Sequence, residues 1–299
     1  MNTKNTIIAL IVIIIVGLGI YFSFRPSPNN SEVTDSQATT TPMAELSEID
    51  KTKTVIGKSV EGRDIVAYHY GVGTTTRLLF VGGIHGGYEW NTALVSYELM
   101  DYLEKASSTI PANVRVTVIP VLNPDGLAKI VSPTTASFLP PDISPDSALL
   151  ESARFNGRNV DLNRNFDCDW QESAKWQNKS VSGGTAVFSE PESRAIKQYI
   201  ENNTPAAVVV YYSAAGGVYS SSCHNGVSPE TSAITGVYAN ASKYPAYKNF
   251  DFYAITGDMT NWLAKSGIPA ISVLLTNHTD TELAKNQAGL KALLNYYKR

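Results

Sequence analysis

A chain of 299 residues is long enough to bury one large core or two modest ones. Its 24 basic and 27 acidic side chains leave a net charge of -3 with no Lys/Arg-rich run, which excludes the electrostatic footprint of a nucleic-acid-binding protein. The 16 Tyr and 21 Gly suit a compact, loop-rich globular domain.

The first element is an uncharged apolar stretch from Ile7 to Phe24. As a helix it would span roughly 27 Å, about the hydrocarbon thickness of a bilayer. Lys4 and the free amine precede it, and Arg25, Glu32 and Asp35 follow. This distribution favours a single-pass signal-anchor over 7–24, with residues 1–6 in the cytoplasm and the main domain outside the cell membrane. The rival is a cleaved secretory signal and a secreted protein. Phe22, Phe24 and Arg25 occupy the ground where a small-residue cleavage site would lie. Residues 25–45 are rich in Ser, Thr, Pro, Asn and Gln, a composition that reads as a flexible tether. The folded domain is expected over 46–299, without internal repeats.

Strand and helix signals then alternate. Thr54–Tyr70 reads as a strand pair around Glu61-Gly62-Arg63. Leu78–Ile84 is a short apolar run of the kind that forms a buried central strand. Trp90–Lys105 has helical periodicity. Val114–Leu122 reads as a strand ending at the turn Asn123-Pro124-Asp125-Gly126. Ser189-Glu190-Pro191-Glu192 has a capping-box pattern and opens a helix to about Asn202. Ala206–Tyr212 is again a buried strand. Pro229–Ser242 and Met259–Ser266 read as helices, Ile271–Leu275 as a strand, and Thr281–Tyr297 as a closing amphipathic helix. Buried strands alternating with helices predict an α/β fold, an α/β/α sandwich around a mixed, mostly parallel sheet. Sites in such sheets lie at the carboxyl ends of strands, where His85, Asn123 and Tyr212 stand.

His85 and Glu89, four residues apart after a strand, can converge on one metal ion; a His merely satisfied at a strand end is the plainer alternative. Asn163 and Arg164 offer an amide and a planar fork suited to a carboxylate, although most loop arginines are simply solvated.

Taken together, the motifs resemble the zinc carboxypeptidase family, the carboxypeptidase A/B-like metallopeptidases. They are Ser59-Val60-Glu61-Gly62-Arg63, Gly82-Gly83-Ile84-His85, Asn123-Pro124-Asp125-Gly126 and Asn159 to Phe166. Further on come Ser189-Glu190-Pro191-Glu192, then Tyr253 with Thr256 to Trp262. The resemblance runs from about Thr54 to the C-terminus. It implies a zinc ion held by two His and one Glu with water in the fourth position. A separate Glu takes a proton from that water. An Arg stabilises the oxyanion, and an Asn-Arg pair with a Tyr holds the C-terminal carboxylate of a peptide.

Carried over by position, His85 and Glu89 are the first two zinc ligands. Three residues separate them where the family usually places two. Arg154 falls on the oxyanion Arg, with Arg158 as the competing choice. Asn163, Arg164 and Tyr253 match the carboxylate clamp, and Thr260 falls where the family tunes its side-chain pocket. Two positions depart from the pattern. Tyr212 stands where the third zinc ligand, a His, is expected, and Leu274 stands where the general-base Glu is expected. His278 and Glu282, close by in sequence, are candidates to replace the base. The expectation is a cleft that recognises the C-termini of peptides or peptidoglycan stem peptides with impaired catalysis. The alternative is an active zinc carboxypeptidase with a rebuilt metal shell. The resemblance also places Cys168 and Cys223 near one site. A disulfide between them is therefore expected in an outer compartment.

Overall fold

Around Gly62, which adopts φ +84°, β1 (Lys53–Lys58) and β2 (Asp64–Tyr70) form the expected antiparallel pair. They are the edge of a larger mixed sheet. The computed structural model describes residues 52–131, 138–140, 143 and 146–298. The predicted segments 7–24 and 25–45 lie outside the described residues. Among the described residues, no helix is long and apolar enough to cross a membrane.

The sheet continues with β3 (Thr76–Val81), β4 (Val114–Ile119), β7 (Ala207–Ser213), β8 (Gly217–Ser220), β9 (Ala246–Tyr247) and β10 (Ala270–Leu275). Its order is β1-β2-β4-β3-β7-β10-β8-β9. The central strands β4, β3, β7 and β10 run parallel, while β2 and β8 flank them antiparallel. Every residue of β7 (AVVVYYS) is buried, as a strand covered on both faces requires. A separate hairpin pairs β5 (Ser173–Trp176) with β6 (Lys179–Ser182).

Helices cover both faces, so the expected sandwich is present. On one face Phe80, Val118, Tyr211 and Val273 pack in one core with residues of α1 (Trp90–Lys105), α5 (Pro229–Ser242) and α7 (Leu283–Tyr296). On the other, Leu79, Ile119, Val210, Tyr212 and Leu274 share a core with α4 (Pro191–Asn203) and α6 (Met259–Lys265).

Two local expectations are modified. The Asn123 turn continues into a short helix, α2 (Pro124–Ala128), because the Asn123 side chain caps it by accepting from Gly126 N at 2.9 Å. The capping box before α4 is absent. Glu190 is the N-cap residue and makes no side-chain cap bond. Glu192 instead accepts from Val60 N and Asn156 Nδ2, tying the helix start to the β1–β2 turn. One further short helix, α3 (Ser147–Ser152), leads to Arg154.

Candidate functional site

The carboxyl ends of the parallel strands open onto a cleft of about 1100 Å³. Beyond β3 the chain turns at His85-Gly86-Gly87. Gly86 has φ +46°, and a Cβ there would lie 2.7 Å from Ala153 O and Gly126 Cα. Only glycine fits this approach. The loop absorbs the third intervening residue and returns Glu89 to His85, whose Nδ1 lies 3.0 Å from Glu89 Oε1.

Arg154 is 1 % exposed and joins this pair to a second carboxylate. Its Nε donates to Asp161 Oδ2 at 2.9 Å, and its Nη1 lies 3.7 Å from Glu89 Oε1. The guanidinium stands 4.4 Å from the Trp176 ring centroid. His85 Nε2 lies 3.5 Å from Asp161 Oδ1, and Glu89 Oε2 accepts from Ser213 N at 3.1 Å. Burial opposes charge on Glu89, but His85, Arg154 and His278 outweigh it and hold its carboxyl below the usual range. Asp161 is likewise fully buried, and Arg154, His85 and Arg164 hold its carboxyl far below that range. The competing Arg158 is 55 % exposed at its side chain and faces Glu190 at 3.6 Å, outside the cleft.

The expected carboxylate clamp sits on a single 3-10 turn, Leu162–Arg164, capped by Asp161 accepting from Asn163 N. Asn163 lines the cleft with three of its four hydrogen-bonding sites taken within the protein. Its Oδ1 accepts from Tyr212 OH and Met259 N, both at 3.1 Å, and its Nδ2 donates to Asp258 Oδ2 at 2.9 Å. Arg164 differs. It is 1 % exposed, its Nε donates to Lys175 O at 2.9 Å, and its Nη1 donates to Asn163 O at 2.6 Å. Its buried Nη2 has no hydrogen-bond partner among the described residues. Tyr253 lines the same cleft, and burial raises its phenol pKa against the opposing pull of Arg164 and Arg154. Thr260 Oγ1 donates to Asp258 Oδ1 at 2.7 Å and lies 3.1 Å from Ser272 Oγ, which gives the cleft a polar floor.

Tyr212 and Leu274 are register partners on the parallel strands β7 and β10, and both line the cleft. The Tyr212 ring centroid is 5.6 Å from that of His85. Burial, then Asp258 and Glu89, push the Tyr212 phenol well above its ordinary pKa. Leu274 is 6 % exposed and offers no proton acceptor. Of the two candidate substitutes for the base, His278 lines the cleft, with Nδ1 2.9 Å from Ser213 Oγ. Glu282 does not line it: its carboxylate accepts from Tyr244 OH, Thr276 N and Lys285 Nζ.

These donors do not fit a catalytic zinc, which needs three protein ligands and one open position. His85 and Glu89 supply two donors side by side, and both His85 ring nitrogens are buried without a hydrogen-bond partner among the described residues, but the third position carries a phenol that donates to Asn163. Phenolate ligation would require deprotonation, which burial first, then Asp258 and Glu89, oppose. Among the described residues, one group of three possible ligands comes close enough together: Cys168, Cys223 and His224. Its two cysteines are joined in a disulfide, with Cα atoms 6.2 Å apart.

The sequence reading missed Asp161, Trp176 and Asp258. Asp161 had a readable signal, since it stands two residues before Asn163 at the spacing of an Asx cap. Trp176 and Asp258 reach the site through long-range packing.

The zinc carboxypeptidase family profile matches residues 43–282, and the chain belongs to that family. Solved structures share the fold. Murein-tripeptide amidase MpaA from Escherichia coli O157 is 20 % identical, with a TM-score of 0.57 over 86 % of this chain and 98 % of that one. Bovine thrombin-activatable fibrinolysis inhibitor, solved with tick carboxypeptidase inhibitor, is 18 % identical, with a TM-score of 0.62 over 82 % and 88 %. Carboxypeptidase A from Helicoverpa armigera is 19 % identical, with a TM-score of 0.58 over 82 % and 66 %.

Proposed function

We propose that this protein is a membrane-anchored, extracytoplasmic zinc-carboxypeptidase homologue that binds the C-terminal carboxylates of peptides and has lost most or all of its hydrolytic step. The observation that carries this reading is Arg164. It is a buried guanidinium lining the cleft, with two nitrogens fixed by backbone carbonyls and Nη2 unpartnered. A charged donor without a partner is costly to bury, and a carboxylate ligand relieves the cost. Tyr253 stands on the same cleft to take part in the clamp. Asn163 lines the cleft beside it and bonds Tyr212 and Asp258. The Thr260 and Ser272 hydroxyls lie where a terminal side chain would rest, which favours small or polar groups.

Two features support impaired catalysis. The Glu89 and Asp161 carboxylates both already face the Arg154 guanidinium inside the protein. Leu274 cannot accept a proton, and general-base help is commonly worth roughly 10²–10⁴ in rate. Cell-wall stem peptides are the first ligand class to test, because a murein-tripeptide amidase shares the fold. The uncharged apolar stretch 7–24 and the Ser/Thr/Pro-rich composition of 25–45 support the membrane anchor.

The alternative, an active zinc carboxypeptidase with a rebuilt shell, draws on His278, an imidazole lining the same cleft near Glu89. One experiment separates the two. The full chain is given a blocked dipeptide and a free tripeptide, with and without chelator. Chelator-sensitive hydrolysis would sink the binding reading. A flat baseline with micromolar peptide binding would sink the enzyme reading.

A further inference from the structure

A second cavity, of about 630 Å³, lies by the amino-terminal ends of the parallel strands, away from the cleft. Arg77 and Arg115 hold the second positions of β3 and β4 and are direct register partners. Side chains alternate along a strand, so both guanidiniums leave the face of Leu79, which packs in one core with α4. Like charges directly opposed across a strand pair repel and destabilise it. A nearby carboxylate would relieve this, yet none lines the cavity, and neither arginine forms an ion pair among the described residues. Arg77 Nη1 donates only to a backbone carbonyl, Asn203 O, at 3.3 Å. Arg115 Nε is buried without a hydrogen-bond partner among the described residues.

The remaining walls include hydrogen-bonding groups beside Ile56. Gln198 and Asn202 of α4 line the cavity with their amides. His69 is fixed by two hydroxyls, Thr54 Oγ1 and Thr117 Oγ1, each at 3.0 Å, and Tyr199 OH donates to Thr117 at 3.1 Å. In a chain of net charge -3, paired guanidiniums with no counter-charge in a donor-lined cavity have the chemistry of an anion receptor.

We propose that this cavity is a phosphate site, in which a phosphate group bridges Arg77 and Arg115 across the β3–β4 pair. The group has two sources of the same chemistry: free phosphate or a monoester, and the phosphodiester of a lipid headgroup or polymer.

The test is isothermal titration of the full chain at low ionic strength with inorganic phosphate and, separately, with glycerophosphoglycerol. Sodium chloride at matched ionic strength is the blank. The expected result is saturable phosphate binding that weakens about tenfold or more in Arg77→Gln/Arg115→Gln and survives in Arg164→Gln. Peptide binding at the cleft reports that the double variant is folded, and Arg115→Gln alone serves if it is not. Binding of both probes supports the site with a phosphodiester source. Binding of inorganic phosphate alone supports it with a free phosphate or monoester. No heat beyond the chloride blank, equal affinity in the double variant, or loss of binding in Arg164→Gln overturns the proposal.

Discussion

Arg164→Ala is the most informative single substitution. In the folded protein its side chain gives Nε to Lys175 O and Nη1 to Asn163 O, and Nη2 is left over. A hydrogen bond to a charged group contributes roughly 1.5–3 kcal/mol. If Nη2 is what holds a peptide carboxylate, its removal weakens binding by about tenfold to about 150-fold. The substitution also strips donors from two carbonyls at about 1–3 kcal/mol apiece, so stability falls as well. A paired comparison separates these effects. Each protein is titrated with one peptide ending in a free carboxylate and with its C-terminal amide. The wild type should prefer the acid by at least about tenfold, and Arg164→Ala should lose that preference even if both affinities drop. Arg164→Lys keeps the charge but loses the fork, and should fall between them. Equal binding of acid and amide by the wild type, or an undiminished preference in Arg164→Ala, would refute the reasoning.

Three further outcomes are expected. Removing the Cys168–Cys223 disulfide with a double Ser variant opens a loop of 55 residues' separation, for which chain entropy gives about 4 kcal/mol; urea unfolding that shows under about 1 kcal/mol would contradict this. The Asp161 carboxyl is held below its ordinary value when folded, so its contribution is full above the unfolded value near 3.8 and is lost as pH falls further. The wild type should therefore lose stability from about pH 5 downward more steeply than Asp161→Asn, and parallel acid profiles by urea titration would argue against that ion pair. Tyr212→His with Leu274→Glu should give a chain that retains zinc and cleaves peptides; a folded but metal-free double variant would mean these two positions are misplaced.

The fold was readable where burial leaves a periodic or continuous apolar signal. β3, β7 and β10 are short apolar runs with turn residues at their ends, and α1 and α7 carry a helical stripe. β5, β6, β8 and α3 were missed because four to six residues of mixed polarity have no period to read. The cleft was legible from loops and strand ends together, since His85, Arg164, Tyr212 and Leu274 all line it. What the sequence does not reveal is who bonds to whom. Asn163 reads as a ligand-facing amide, and Tyr212, Met259 and Asp258 take three of its four hydrogen-bonding sites, leaving one Nδ2 hydrogen at the cleft. Glu89 reads as a metal ligand, yet Ser213 N, His85 and Arg154 surround it. Those partners come from four separate segments, and only the folded chain brings them together.

In the proposed function the donor set no longer holds the family's metal while the carboxylate clamp remains. The most direct test is the zinc content of the full chain, purified without chelator, shown to be folded, and analysed by elemental mass spectrometry. The account predicts far less than one zinc per chain, unchanged by His85→Ala. Near one zinc per chain, lost in His85→Ala, would contradict it.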